Sequence, residues 1–399
     1  MIGLTVLFFT VANGLYGQLS GNYTIGGSGS NNFNSWNDFV DSFNQSGVSG
    51  SVVLNVNTTD SITKRLVLSG NSKFPTTKTN TLTIKGNGNI LKAAFAKEVI
   101  AFRGVSHITI VNLKIENSSS DYFAMGIRLS LGSDSNKIDS TVINLSGLTK
   151  RVGFDGAYIV IGDTGSIISR EPSFIAGVGN TISNCTFTTS NKNSPGPFFG
   201  IVEVQKKGMD TTSTHNQYLN NYIGNVYSRG FFLKNTNSDL IRDNYISREL
   251  ANSNSSVDTL FKAIEIINAF SSSKPFTISH NEICNIPYLR PGIITGGGFI
   301  KSLFAVDILT TSGVVNSSTV EAVEISHNNI HDMSSDIRFF GVYTANFSLV
   351  NIKHNVLTKA YVYGPQKGPI FSYGFYGISG NDLVIDSNQV SNCDFGSTT

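Results

Sequence analysis

Acidic residues recur at corresponding places in a set of short apolar segments, and two of them fall on consecutive segments. The segments are Gly126-Ile127-Arg128-Leu129, Gly200-Ile201-Val202-Glu203-Val204, Gly230-Phe231-Phe232-Leu233, Ala263-Ile264-Glu265-Ile266, Ala305-Val306-Asp307-Ile308 and Gly341-Val342-Tyr343. Aligned on one another, they place Arg128, Glu203, Leu233, Glu265, Asp307 and Tyr343 at one register. Each follows an apolar residue assigned to the interior, so strand alternation turns the register outward. Neighbouring strands lie ~4.8 Å apart, which makes Glu265 and Asp307 near neighbours and leaves Glu203 ~10 Å away. Carboxylates that close repel, and a cation, a shared proton or a base relieves the conflict. Glu203, Glu265 and Asp307 are therefore the candidate catalytic residues, in a two-carboxylate hydrolytic arrangement. Ca²⁺ is a candidate ion for the same oxygens. Lys234 and Lys262 offer a simpler neutralisation of a purely structural face.

Aromatic residues supply the candidate binding groups. Tyr361-Val362-Tyr363-Gly364-Pro365 and Phe371-Ser372-Tyr373-Gly374-Phe375-Tyr376 interleave rings with glycine, as a sugar-stacking platform requires. Tyr343, Tyr363, Tyr373 and Tyr376, with Arg128, are the expected substrate contacts; packing within the fold is the competing role for the rings. His280, His327 and His354 also recur in register, but with Asn220, Asp243 and Ser387 at the same position elsewhere. That mixture reads as a generic polar file, and no metal site is assigned.

The scaffold that must hold these residues is written in a phrase, hydrophobic-x-x-Asn-x-hydrophobic. Its six copies carry Asn221, Asn244, Asn281, Asn328, Asn355 and Asn388. The paired apolar residues are too close for one helical face and suit two short strands meeting at a corner. The asparagine is expected to supply a left-handed corner conformation and a ladder of amide hydrogen bonds. Copies stay rigid inside while the gaps between them vary, which marks stacked coils with variable loops. The shortest gap, Tyr218 to Ile241, is 23 residues; three strands of ~5 residues and their turns fit within it. Earlier copies are looser: Asn112 and Asn184 come one residue early, and Thr141 holds the third corner. The reading is an all-β solenoid of about nine coils.

This pattern resembles the right-handed parallel β-helix of the pectate-lyase-like superfamily, from Ser51 to the C-terminus. The resemblance implies architecture; the superfamily includes lyases, hydrolases, tailspikes and adhesins, so it does not imply one activity. Neither the Asn-Thr-Asp, Asp-Asp and Gly-His-Gly set of polygalacturonases nor the Arg-x-Pro set of pectate lyases is present, Arg290-Pro291 being the nearest fragment.

Residues 1–17 are apolar and uncharged with small residues near their end, and read as a secretory signal peptide. Residues 18–50 read as a cap. Within it Trp36, Phe39, Val40 and Phe43 form one helical face, with Asn34 or Ser35 as N-cap and Gly47 beyond the end. Such a helix can close the apolar end of a β-helix. The Tyr23–Gly27 opening, this helix and the Gly47–Val52 exit resemble the N-terminal region of secreted β-helix proteins of Bacteroidetes, many of which carry a C-terminal sorting domain. Residues 51–399 are the β-helix. Only eleven residues follow Asn388, so further coils or a sorting domain are expected beyond them.

Hydrophobic content of 40% with 14% charged residues fits strands joined by polar turns and excludes a disordered chain. A net charge of +2 gives no pull toward nucleic acid, and no segment is long and apolar enough to span a membrane. Three cysteines, Cys185, Cys284 and Cys393, are too few for a disulfide framework. The leading function is a secreted or cell-surface protein that binds polysaccharide or adheres through a surface glycan. A polysaccharide lyase or glycoside hydrolase is the alternative, and a structural spacer the third.

Overall fold

A computed structural model of the chain describes residues 17–148, 156–162, 177–191, 196–206, 214–248, 260–270, 274–286, 302–309, 323–335, 338–346, 349–362, 372–378 and 382–395. The strands form three sheets of 13, 11 and 10 strands, in which every third strand in sequence is a neighbour in space. All named pairings are parallel. This is a right-handed parallel β-helix, the hand that parallel crossovers take. The 11-stranded sheet gives eleven rungs rather than about nine. The extra rungs lie early in the chain, where Val52–Leu54 and Leu82–Ile84 stack without the asparagine phrase.

Side-chain alternation fixes what is inside. In the first sheet Ile182, Tyr218, Ile241, Ile278, Ile325 and Ile352 pair in one file, all inaccessible or nearly so. A parallel file in the second sheet runs through Ile223, Ile246, Ile283, Ile330 and Leu357. Burying each such side chain stabilises the fold by ~1.5–3 kcal/mol.

The six asparagines stand in a single file. Each backbone N–H donates to the side-chain oxygen one rung on: Asn221 to Asn244 Oδ1, Asn244 to Asn281 Oδ1, Asn281 to Asn328 Oδ1 and Asn328 to Asn355 Oδ1 at 3.0 Å, and Asn355 to Asn388 Oδ1 at 2.9 Å. The left-handed conformation, however, falls one residue earlier than expected. It is held by Asn220, Asp243, His280, His327, His354 and Ser387, with φ between 52° and 58°. The ladder side chain must point inward, so the residue before it takes the bend. This also explains the early copies. Asn112 and Asn184 are bend residues, and Leu113, Thr141 and Cys185 occupy the ladder position. Cys185 N–H still donates to Asn221 Oδ1 at 3.0 Å, which extends the file to a residue without an amide.

The helix forms at Trp36–Ser46 as expected, capped by Ser35 Oγ accepting from Asp38 N at 3.2 Å and closed by Gly47 at φ 66°. Trp36, Phe39, Val40 and Phe43 are buried against the first rungs. The strand Leu19–Ile25 pairs in parallel with Val48–Val56, so part of the expected cap is a strand of the first sheet. At the other end Leu383, Ile385 and Val390, which continue the inward files, are exposed. The expected signal peptide lies outside the described residues except for Gly17.

Candidate functional site

The outer face of the third sheet carries two adjacent files. One runs Arg128, Val160, Val202, Phe232, Glu265, Asp307, Tyr343 and Tyr376. The other runs Phe199, Arg229, Lys262, Phe304, Phe340 and Tyr373. Where they cross the middle of the face they bring two cations against two carboxylates. Further along the sheet both files turn aromatic.

Glu203 does not belong to this face. It pairs with Leu233 and Ile161, one position on from the outward file, and points into the coil. A slip of one residue exchanges the two faces of a strand: Arg128, Glu265, Asp307 and Tyr343 lie two residues after the aligned Gly or Ala, whereas Glu203 and Leu233 lie three after it. The interior tolerates Glu203 because it is satisfied there. Gln205 Nε2 and Asn216 Nδ2 donate to Oε1 at 2.7 and 2.9 Å, and Tyr218 Oη donates to Oε2 at 2.5 Å. Asp239 lies against it, fully buried. Asp239 also ends a second inner ladder that the sequence reading missed, in which Ile108, Asn136, Asn180 and Asn216 each donate a backbone N–H to Asn136, Asn180, Asn216 and Asp239 in turn, at 2.8–2.9 Å.

Burial raises the pKa of Glu203 even against the hydrogen bonds it accepts, and burial with the facing Glu203 charge raises Asp239 well above its ordinary 3.8. Two carboxyls so placed favour sharing one proton over ionising together. Since both folded pKa values are raised, the stability they confer is complete below the unfolded carboxylate values and is lost as pH rises through the folded ones. Wild-type melting temperature is therefore expected to fall from acid toward alkaline pH, and Asp239→Asn to flatten that slope. Parallel slopes in the two proteins, measured by calorimetry across that range, would exclude a shared proton.

Glu265 and Asp307 are adjacent as expected, and Lys262 is what reconciles them. Its Nζ contacts both Glu265 Oε1 and Asp307 Oδ2, while Arg229 Nε lies 2.8 Å from Glu265 Oε2. Glu265, Asp307 and Lys262 are all buried although they point away from the coil. Burial pushes both carboxyls up, but the outcome differs. At Glu265 the Lys262 and Arg229 charges outweigh burial and hold it below the usual range. At Asp307 burial prevails over Lys262, and the Glu265 charge adds to it, so its pKa is raised. Asp307 Oδ1 is buried with no hydrogen-bond partner among the described residues.

Beyond Asp307 the rings form a continuous array. Phe304 and Phe340 stack at 4.7 Å with 8° between planes, Tyr343 and Tyr376 at 5.7 Å, and Tyr373 and Tyr376 at 4.5 Å. Tyr343 meets Phe304 and Phe340 edge-on. Lys262 Nζ sits 5.4 Å from the Phe304 ring centre, which ties the charged group to the aromatic one. Tyr343, Tyr373 and Tyr376 are partly exposed, as sugar contacts must be. Tyr363 lies outside the described residues. Arg128 is not brought to the carboxylates. It lies four rungs away, ~19 Å along the sheet, where its Nε is 3.5 Å from Glu98 Oε2.

The histidine file stacks face to face, His280 on His327 at 4.9 Å and 2°. Stacked rings direct their nitrogens sideways, so these three do not converge on a common ion.

No family model matches the chain, and no curated protein matches it. Among solved structures it is similar to the GH136 lacto-N-biosidase of Eubacterium ramulus, at 10% identity and TM-score 0.50, over 93% of this chain and 68% of that one. It is also similar to PfbA, a surface adhesin of Streptococcus pneumoniae, at 14% identity and TM-score 0.47, over 87% and 89%, and to the PL6 family alginate lyase AlyGC at 10% identity and TM-score 0.41, over 93% and 51%. The likeness to the lacto-N-biosidase is one of fold. It agrees with the β-helix that the pairing of strands gives directly. No helix among the described residues is long and apolar enough to cross a membrane.

Proposed function

We propose that the protein is a secreted or cell-surface glycan-binding protein whose binding face is the outer side of the third sheet. The observation that carries this reading is the array of partly exposed rings, Tyr343, Tyr373 and Tyr376, that continues this face beyond Asp307. Sugar rings present apolar faces that pack on such tyrosines, while the phenol hydroxyls meet their polar edges. Two tyrosines one rung apart, with Tyr373 beside them, suit successive units of an extended chain.

Glycan arrays followed by calorimetry on a positive glycan test the reading. Tyr376→Ala and Tyr343→Ala are each expected to weaken binding by about tenfold, ~1.4 kcal/mol per ring. Binding that survives Tyr343→Ala and Tyr376→Ala together places the glycan elsewhere.

A second reading rests on Glu265 and Asp307 lying side by side against one Lys262, with their pKa values displaced in opposite directions. A raised and a lowered carboxyl so close match the acid and the nucleophile of a retaining glycoside hydrolase, with Asp307 as acid and Glu265 as nucleophile, because an acid and a base that activate a water stand ~6.5–9.5 Å apart. Release of reducing ends from a bound glycan, abolished by Asp307→Asn, would favour it over binding alone.

A further inference from the structure

A cluster on a different sheet has the composition of a metal site. Glu282 and Cys284 alternate on the strand Glu282–Ile286 of the second sheet, two residues apart and therefore on one face. His331 is directly opposite Cys284 on the next rung. His331 Nε2 lies 3.1 Å from Glu282 Oε1, Cys284 Sγ lies 3.9 Å from the same oxygen, and the three donor atoms all fall within 4.8 Å of one another. Bond lengths of ~2.0–2.2 Å to nitrogen and oxygen and ~2.3 Å to sulfur imply tetrahedral edges of roughly 3.3 Å for N···O and 3.6 Å for S···O. The observed separations need only small side-chain adjustments to meet them.

The hydrogen bonding of His331 singles out the same point. Its Nδ1 lies 2.7 Å from Asp332 Oδ2, and a carboxylate can only accept, so Nδ1 carries the proton. Asp332 is itself fixed, by a left-handed backbone at φ 52° and by Lys359 Nζ at 3.3 Å from its other oxygen. With Nδ1 committed to Asp332, Nε2 is the ring nitrogen aimed at Glu282 Oε1, 3.1 Å away. A carboxylate that orients a histidine through Nδ1 while Nε2 faces a cysteine sulfur and a second carboxylate is the outer support that protein zinc sites use.

The geometry points to a Zn²⁺-class site formed by Glu282, Cys284 and His331, with Asp332 as the positioning residue. The Glu282 side chain is about half exposed, at 46%, and leaves the fourth coordination position open to water. One nitrogen, one sulfur and one oxygen donor select a borderline-soft divalent ion over Ca²⁺ or Mg²⁺. The site is separate from the glycan-binding face, which lies on the third sheet.

Titration of the reduced full chain with Co²⁺ tests this. One equivalent is expected to produce a thiolate-to-cobalt charge-transfer band in the near ultraviolet and intense visible bands of tetrahedral Co²⁺, both removed by Zn²⁺ and unaffected by Ca²⁺. Cys284→Ser should abolish the charge-transfer band, while the double variant Cys185→Ser, Cys393→Ser keeps it. Glu282→Gln, at a half-exposed position where folding is not at stake, and Asp332→Asn should each weaken binding by about 10–100-fold. The proposal is overturned if wild type gives no charge-transfer band, as it would were His331 simply an imidazolium. It is equally overturned if the band persists in Cys284→Ser, or if Glu282→Gln and Asp332→Asn both bind Co²⁺ as tightly as wild type.

Discussion

Replacing Lys262 with methionine is expected to destabilise the protein by about 3–5 kcal/mol, the usual result of removing one partner from a buried ion group. Lys262 is the cation that Glu265 and Asp307 share, and all three are buried. Arg229 remains beside Glu265, so the uncompensated charge after the substitution is chiefly that of Asp307. The loss should depend on pH in a defined direction. Asp307 already has a raised pKa, so its contribution favours the fold at acid pH and declines as pH rises through the folded value; without Lys262 that pKa rises further. Urea denaturation should therefore show a larger deficit at neutral than at acid pH. Adding Asp307→Asn to Lys262→Met should recover part of it, because the pair then leaves no lone buried charge. A Lys262→Met protein within about 1 kcal/mol of wild type at neutral pH would mean that the group is solvated and contributes as surface pairs do.

Asn281→Ala is expected to be comparably severe although it removes no charge. Asn281 Oδ1 accepts from both N and Nδ2 of Asn244, and its own Nδ2 donates to Ile241 O and Asn328 Oδ1. Truncation strands a backbone N–H and a backbone carbonyl in the dry interior and leaves a cavity at the corner. At ~1–3 kcal/mol for each stranded group the total is about 3–5 kcal/mol. The same change at Asn388 should cost far less, since Asn388 is only partly buried. Chemical denaturation of the two variants side by side distinguishes a ladder that acts as a buried network from one that merely repeats in sequence. Equal losses at the two positions would contradict the network.

These expectations separate the local from the non-local content of the chain. The ladder was legible because each phrase carries its whole requirement within six residues: an inward aliphatic, a bend, an inward amide and a second aliphatic. The helix at Trp36–Ser46 was legible for the same reason, since its apolar face and its Ser35 and Gly47 boundaries are local. Even there one detail escaped. The bend and the amide occupy adjacent positions, and asparagine suits both, so sequence could not tell the two roles apart. Only the backbone angles at His280, His327 and His354 do so.

The candidate site was half legible. Glu265, Asp307 and Tyr343 share the outward register that was read for them, and Tyr376 joins it. Glu203 was misplaced because its segment was aligned one residue out of step, which assigned Val202 to the interior. Its inward position depends on Tyr218, Asn216 and Asp239, which come from later parts of the chain. Arg229 was not singled out at all. Its role becomes visible only when the pairing Phe199↔Arg229↔Lys262 is known.

By itself, then, the sequence determined the coil, its amide ladder and the outward pairing of two acidic neighbours, because strand alternation acts over a few residues. Tertiary structure alone decided which residue takes the bend, that Glu203 faces inward, which cation stands between Glu265 and Asp307, and that Glu282, Cys284 and His331 converge. Those outcomes depend on the register between rungs, and successive rungs are joined by loops of unequal length. A one-residue slip of a strand in that register exchanges interior for exterior, so spacing along the chain does not fix what meets across it.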